Sequence, residues 1–77
     1  MTQLTPENLG QAIRQRRALL GMTQSELART LGWDKSQLCR LERGQAAPSW
    51  NSLIELGEAI GPLEELITLT RAIGQSR

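Results

Sequence analysis

The sequence predicts an all-α fold of five helices, on three observations. Trp33 and Trp50 are its only aromatic residues, so the core must be built from Leu, Ile and Ala, which suit packed helices better than sheets. Five of the seven glycines, Gly21, Gly32, Gly44, Gly61 and Gly74, fall at helix-length intervals, where glycine closes a helix in the left-handed conformation without steric penalty. Helix-start residues follow closely behind these stops. With 77 residues there is room for one core, since a domain of this size buries only about 60% of the surface of its unfolded chain. Residues 1–77 are therefore expected to form a single domain.

The first helix is expected to begin at Pro6 behind the cap Thr5, with Leu9, Ile13 and Leu20 on one face. The second is capped by Thr23, and Glu26 three residues on completes a capping box that satisfies two otherwise orphan amides; Leu27, Ala28 and Leu31 point to the core. Asp34 caps the third, with Gln37 in the matching position, and Leu38 and Leu41 are its core residues. The fourth follows Pro48 and the cap Ser49. The fifth opens at Pro62, and Glu64 and Glu65 in its first turn complement the helix dipole.

The second and third helices are joined by a bend of only a few residues. Helices that cross steeply after so short a turn need a small residue where their backbones approach, which is Ala28. Gly32 then reverses the chain, and Trp33 closes the apolar side of the bend as a core residue rather than a stacking surface for a base. Once the apolar side is assigned, the third helix is left with a face of Lys35, Ser36, Gln37, Cys39, Arg40 and Arg43, rich in forked and amide donors.

Net charge is +1, but its distribution is uneven. Gly10 to Gln45 holds seven basic residues (Arg14, Arg16, Arg17, Arg29, Lys35, Arg40, Arg43) against three acidic ones, and the chain from Ala46 onward holds two basic against four acidic. A basic front half suits a polyanion, because neutralised phosphates release counterions; a solvated charged surface is the plainer alternative. Arginine supplies eight of the nine cations, and its planar fork matches phosphate and guanine.

Other classes fit poorly. The single cysteine, Cys39, cannot form an internal disulfide, and without histidine no zinc or iron-sulfur site is expected. No histidine, tyrosine, activated nucleophile or paired carboxylates suggest an enzyme, so no catalytic residue and no cofactor is assigned. The start, MTQLTPENLG, has no apolar run and no stretch approaches a membrane span, so a cytoplasmic protein is expected.

TQSELARTLG followed by KSQLCRLERG resembles the Cro/lambda-repressor type of helix-turn-helix, the XRE family. The likeness runs from about Leu9 through APSWNSLIELGEAIG to Ile60 and includes the Gly-x-x-x-Pro-Ser step at Gly44, Pro48 and Ser49. It implies a helix-turn-helix over residues 24–43, with helices 4 and 5 (50–73) completing the core and offering a dimer seam. It also implies that the third helix lies in the DNA major groove. Carried over by position, Gln24 and Ser25 at the first turn of helix 2 meet a phosphate, Gln24 with its side chain and helix-terminal amides. Lys35, Ser36 and Arg40 face base edges, Gln37 a base or a phosphate, and Arg43 a phosphate.

The resemblance further pairs Arg17 with Glu42 as a structural ion pair. One departure is Gln45-Ala46-Ala47, where many relatives carry a basic residue, which implies fewer phosphate contacts and a gentler salt dependence. A redox role for Cys39 has no support beyond its nearby arginines.

Proteins of this type bind as two-fold dimers, so a homodimer on a palindromic operator is implied, with a repressor the expected role. Helix 5 carries Leu63, Leu66, Ile67, Leu69 and Ile73, more apolar positions than one stripe requires; Trp50, Leu63 and Ile67 are the candidate seam, the alternative being plain core. With no ligand-sensing domain in the sequence, a stand-alone repressor, a phage or plasmid regulator or a restriction-modification controller is expected. The rival reading is an antitoxin or other protein-interaction adaptor with an unknown protein partner and DNA binding for autoregulation. RNA ranks lower, since its narrow major groove excludes a recognition helix.

Overall fold

Three of the five helices begin where a side chain set outside the helix takes up one of the first amides. The computed structural model describes residues 4–75 and contains, in order, α1 (Pro6–Leu19), α2 (Gln24–Leu31), α3 (Lys35–Glu42), α4 (Trp50–Ile60) and α5 (Leu63–Gln75). Thr5 Oγ1 accepts from the Asn8 amide at 3.1 Å, and Ser49 Oγ from the Ser52 amide at 3.2 Å. At α2 the capping box closes in both directions: the Glu26 amide donates to Thr23 Oγ1 at 3.1 Å and the Thr23 amide to Glu26 Oε1 at 2.8 Å. The Glu26 carboxyl is consequently held below its ordinary value, first by the Thr23 backbone amide, then by the Thr23 side chain, with the Arg29 charge adding a little.

Two start signals work differently from expectation. Asp34 occupies the cap position of α3, but its exposed carboxylate makes no cap hydrogen bond and no box forms with Gln37. The Asp34 backbone oxygen serves instead, accepting from the Gln37 and Leu38 amides at 3.1 and 3.3 Å. The fifth helix opens one residue later than expected, with the Pro62 oxygen accepting from the Glu65 and Leu66 amides. Among the stops, Gly32 has the left-handed geometry that the bend requires (φ 73°, ψ 27°). Gly74, by contrast, lies inside α5.

The core joins Ala12 and Ile13 of α1 to Leu27, Ala28, Leu38, Leu56, Ile60, Leu66 and Ile73. Helix α1 is its axis, packing chiefly on α5 and α3, with α2 set against α3 and α4. Leu31 and Trp33 close the edge of this cluster, and the Trp33 indole donates to Glu55 Oε1 at 3.2 Å. Leu20 does not belong to it. It caps α1 and is 47% exposed, because the inner side of the last turn of α1 is taken by the half-buried side chains of Arg16 and Arg17.

Gly10 sets how closely α1 and α3 approach. A Cβ there would collide with the Leu41 carbonyl and come within 2.7 Å of the Glu42 carbonyl oxygen. Only a glycine allows α1 to lie against the end of α3 at this depth, and that contact fixes where α3 points. Among the described residues no helix is long and apolar enough to cross a membrane.

Candidate nucleic-acid interface

The unit formed by α2 and α3 is held by its turn and by its inner leucines. The Trp33 amide donates to the Ala28 oxygen at 2.9 Å and the Gly32 amide to the Arg29 oxygen at 3.2 Å, so two of the end carbonyls of α2 are satisfied by the turn itself and the chain passes directly into α3. Leu38, Leu41 and Glu42 of α3 face inward and are buried. Helical spacing then turns Lys35, Ser36, Gln37, Arg40 and Arg43 outward, and all five are exposed. Cys39 is half-buried at the margin of that face. Beside it, at the start of α2, Ser25 is exposed and Gln24 half-buried.

A buried charge network fastens this unit to α1. Arg17 Nε donates to Glu42 Oε2 at 2.8 Å and Arg17 Nη2 to Glu42 Oε1 at 3.0 Å, a bidentate pair whose side chains are 16% and 3% exposed. Arg17 Nη1 also donates to the Met22 oxygen at 2.9 Å, just ahead of the α2 cap. The same guanidinium therefore grips the entrance of α2 and the end of α3. Its hydrogen bonds to Glu42 raise its pKa above the ordinary value, burial opposes that shift and the Glu42 charge adds to it, so Arg17 is charged at any working pH.

Gln24 belongs to this network. Its Nε2 donates to Glu42 Oε1 at 3.1 Å. Because a carboxylate only accepts, Glu42 fixes which end of the amide faces it. The side chain expected to meet a phosphate is thus half committed to the fold. Arg16, counted in the sequence among the basic residues of the front half, is committed as well: its Nε donates to the Ile60 oxygen at 2.6 Å, closing α4, and its Nη2 lies 3.4 Å from Glu65 Oε2. Of the seven basic residues in the front half, the exposed ones are Arg14, Arg29, Lys35, Arg40 and Arg43.

The seam residues do not all fall together. Trp50 is 69% exposed and shares an apolar groove of about 380 Å³ with Leu4, Leu53 and Ile67, between the starts of α1 and α4 and the middle of α5. Leu63 does not line that groove. It packs on Gly57, whose added Cβ would meet the Leu63 Cβ at 3.1 Å.

The Glu26 box gives a pH test. A carboxylate with a lowered folded pKa contributes stability that is present above its unfolded value, near 4.5, and is lost as pH falls through the lowered value. Glu26→Gln should therefore flatten part of the loss in thermal midpoint between about pH 5 and about pH 3. Parallel acid profiles for the two proteins would show that the box carries no such linkage.

The helix-turn-helix domain family model matches residues 8–76. Similar solved structures include the clp gene regulator ClgR from Corynebacterium glutamicum, with a TM-score of 0.90 at 28% identity over 95% of this chain and 79% of that one. A second ClgR structure gives a TM-score of 0.85 at 30% identity, over 90% and 91% of the two chains. The restriction-modification controller protein C.AhdI from Aeromonas hydrophila gives 0.76 at 32% identity, over 79% of this chain and 94% of its own. No curated protein matches the sequence significantly. With its five helices, its α2–α3 unit and this family match over most of its length, the chain belongs to the helix-turn-helix domain family, of the Cro/lambda-repressor type, and has the fold of a DNA-binding transcription regulator.

Proposed function

We propose that the protein represses transcription, binding a palindromic operator in double-stranded DNA as a homodimer with α3 in the major groove, in the cytoplasm of a bacterium or phage host. The observation that carries this reading is the outer face of α3: Lys35, Ser36, Gln37, Arg40 and Arg43 are exposed while Leu38, Leu41 and Glu42 are buried. Lys35, Ser36 and Arg40 read base edges, with the Arg40 fork on guanine. Gln37 meets a base or phosphate, and Arg43 a phosphate. At the start of α2, Gln24 and Ser25 bind a phosphate through first-turn amides, helped by the second hydrogen of the Gln24 amide. Likeness to C.AhdI, a restriction-modification controller protein, supports a regulatory role.

Two-fold symmetry comes from a seam centred on Trp50 and Ile67, with Leu63 one turn away on α5, which sets the two α3 helices about 34–36 Å apart, one turn of DNA. The exposure of Trp50 supports it, since so large an apolar side chain in water favours a covering surface. Sedimentation with and without operator checks the seam; a strict monomer in both would discard it.

Selection from random duplex DNA is the direct test, and a two-fold symmetric consensus is expected. Arg40→Ala should reduce discrimination between selected and random duplex by about 1–3 kcal/mol. Arg43→Ala should weaken both alike. The reverse pattern would overturn the division of roles, and no enriched sequence would overturn specific recognition.

A further inference from the structure

Arg14 has no place in the interface drawn so far, although it is exposed on α1 and stands beside it. It lines a cleft of about 300 Å³ between α1 and α3 together with Arg17, Gln24, Cys39, Glu42 and Arg43. Three guanidinium groups face one carboxylate there, a net charge of +2. The adjoining cleft, which Arg14 and Arg43 also border, is lined by Glu7 and Glu42 as well, so its charges cancel. In the first cleft Glu42 is already matched by Arg17 and Gln24. Arg14 and Arg43 are thus left facing a floor whose charge is compensated.

We infer that this cleft takes a phosphate of the DNA backbone, held by Arg14 from α1 and Arg43 from the end of α3, beyond the phosphate at the start of α2. The inference rests on the DNA-binding reading above and extends its footprint onto α1. Contiguity supports it: Gln24 joins the cleft to the first turn of α2, and Arg43 joins it to the outer face of α3. A backbone phosphate spreads one negative charge over two free oxygens, and two such forks can each donate to them in a plane. Arg14 also supplies from α1 the cation that Gln45-Ala46-Ala47 lacks, so salt dependence is steeper than that tripeptide alone implies.

The test is a titration of a fluorescent random-sequence duplex, and of the selected one, over a range of salt concentrations with the full chain. Arg14→Gln should lower the slope of log affinity against log salt by about 0.9 and weaken binding roughly five- to tenfold at about 0.1 M salt, equally on both duplexes. Arg14→Lys should restore the slope, because charge alone releases the counterion. Arg71→Gln, at an exposed arginine on α5, makes the same change in net charge and should leave the slope unaltered. Circular dichroism should be unchanged in all three. If the wild type binds with a salt-dependent affinity and Arg14→Gln keeps its slope, or Arg71→Gln loses as much, the cleft is not a phosphate site while the reading of α3 stands. If the wild type binds no duplex at all, both are overturned.

Discussion

Glu42→Ala should destabilise the fold by about 3–5 kcal/mol, because it leaves the half-buried Arg17 guanidinium without the buried carboxylate that counters its charge. For a domain of this size about 4–8 °C of thermal midpoint goes with each kcal/mol, so the midpoint should fall by at least about 12 °C. Two further losses act in the same direction, since the Gln24 amide loses its acceptor and the grip of Arg17 on the end of α3 disappears. Replacing both members of the pair by apolar residues of similar size, Arg17→Met with Glu42→Leu, should recover more than half of the loss, because neither charge is then stranded. A midpoint within about 4 °C of wild type for Glu42→Ala would show that the pair does little for the fold. Arg17, charged at any working pH, adds no pH dependence below the strongly alkaline range: a cation with a raised folded pKa loses its contribution only as pH climbs through that value.

Gly10→Ala should also destabilise, by up to about 2 kcal/mol, and here two effects oppose each other. Alanine in a helix interior is favoured over glycine by about 1 kcal/mol, so helix propensity alone predicts a gain. The new Cβ, however, would meet the Leu41 and Glu42 carbonyls, which are backbone atoms that cannot rotate aside. Forcing α1 away from α3 has the magnitude of overpacking a core, about 1–3 kcal/mol or somewhat more, and it exceeds the gain. Because Gly10 abuts the backbone of Glu42, Gly10→Ala and Glu42→Ala should be less than additive, a coupling that a double-mutant cycle measures. A stabilised Gly10→Ala would mean that the two helices part without penalty.

The Gly10 contact had a faint signal in the sequence. A glycine inside an apolar helical pattern is unfavourable unless something approaches closely, but the pattern does not say what approaches. Leu20 illustrates the opposite failure. Its spacing from Ile13 puts it on the core face, yet α1 ends one residue before it and two arginines occupy that side. Asp34 has the right type and position for a cap, and the backbone does the work instead. For Gly74, a stop signal was outweighed by continuation of α5 on the core through Ile73.

The run Arg14-Gln15-Arg16-Arg17 marks where sequence reasoning ends. Its three arginines are alike in composition and charge, and at about 100° per residue each leaves α1 in a different direction. Arg17 meets Glu42, Arg16 meets the end of α4, and Arg14 remains exposed over the cleft. Their roles are set by what α1 packs against, which no local pattern records.

The sequence by itself determined the five helices, the caps at Thr5, Thr23 and Ser49, the turn at Gly32 and the leucines that make the core. These depend on amides and apolar side chains within a few residues of one another, so local chemistry suffices. Only the tertiary structure decided which cations are spent on the fold, which end of the Gln24 amide is committed to Glu42, and how deeply α1 can approach α3. Those outcomes depend on groups separated by 18 positions or more in the chain, Gln24 and Arg17 from Glu42 and Arg16 from Ile60, whose meeting is a property of the packed core.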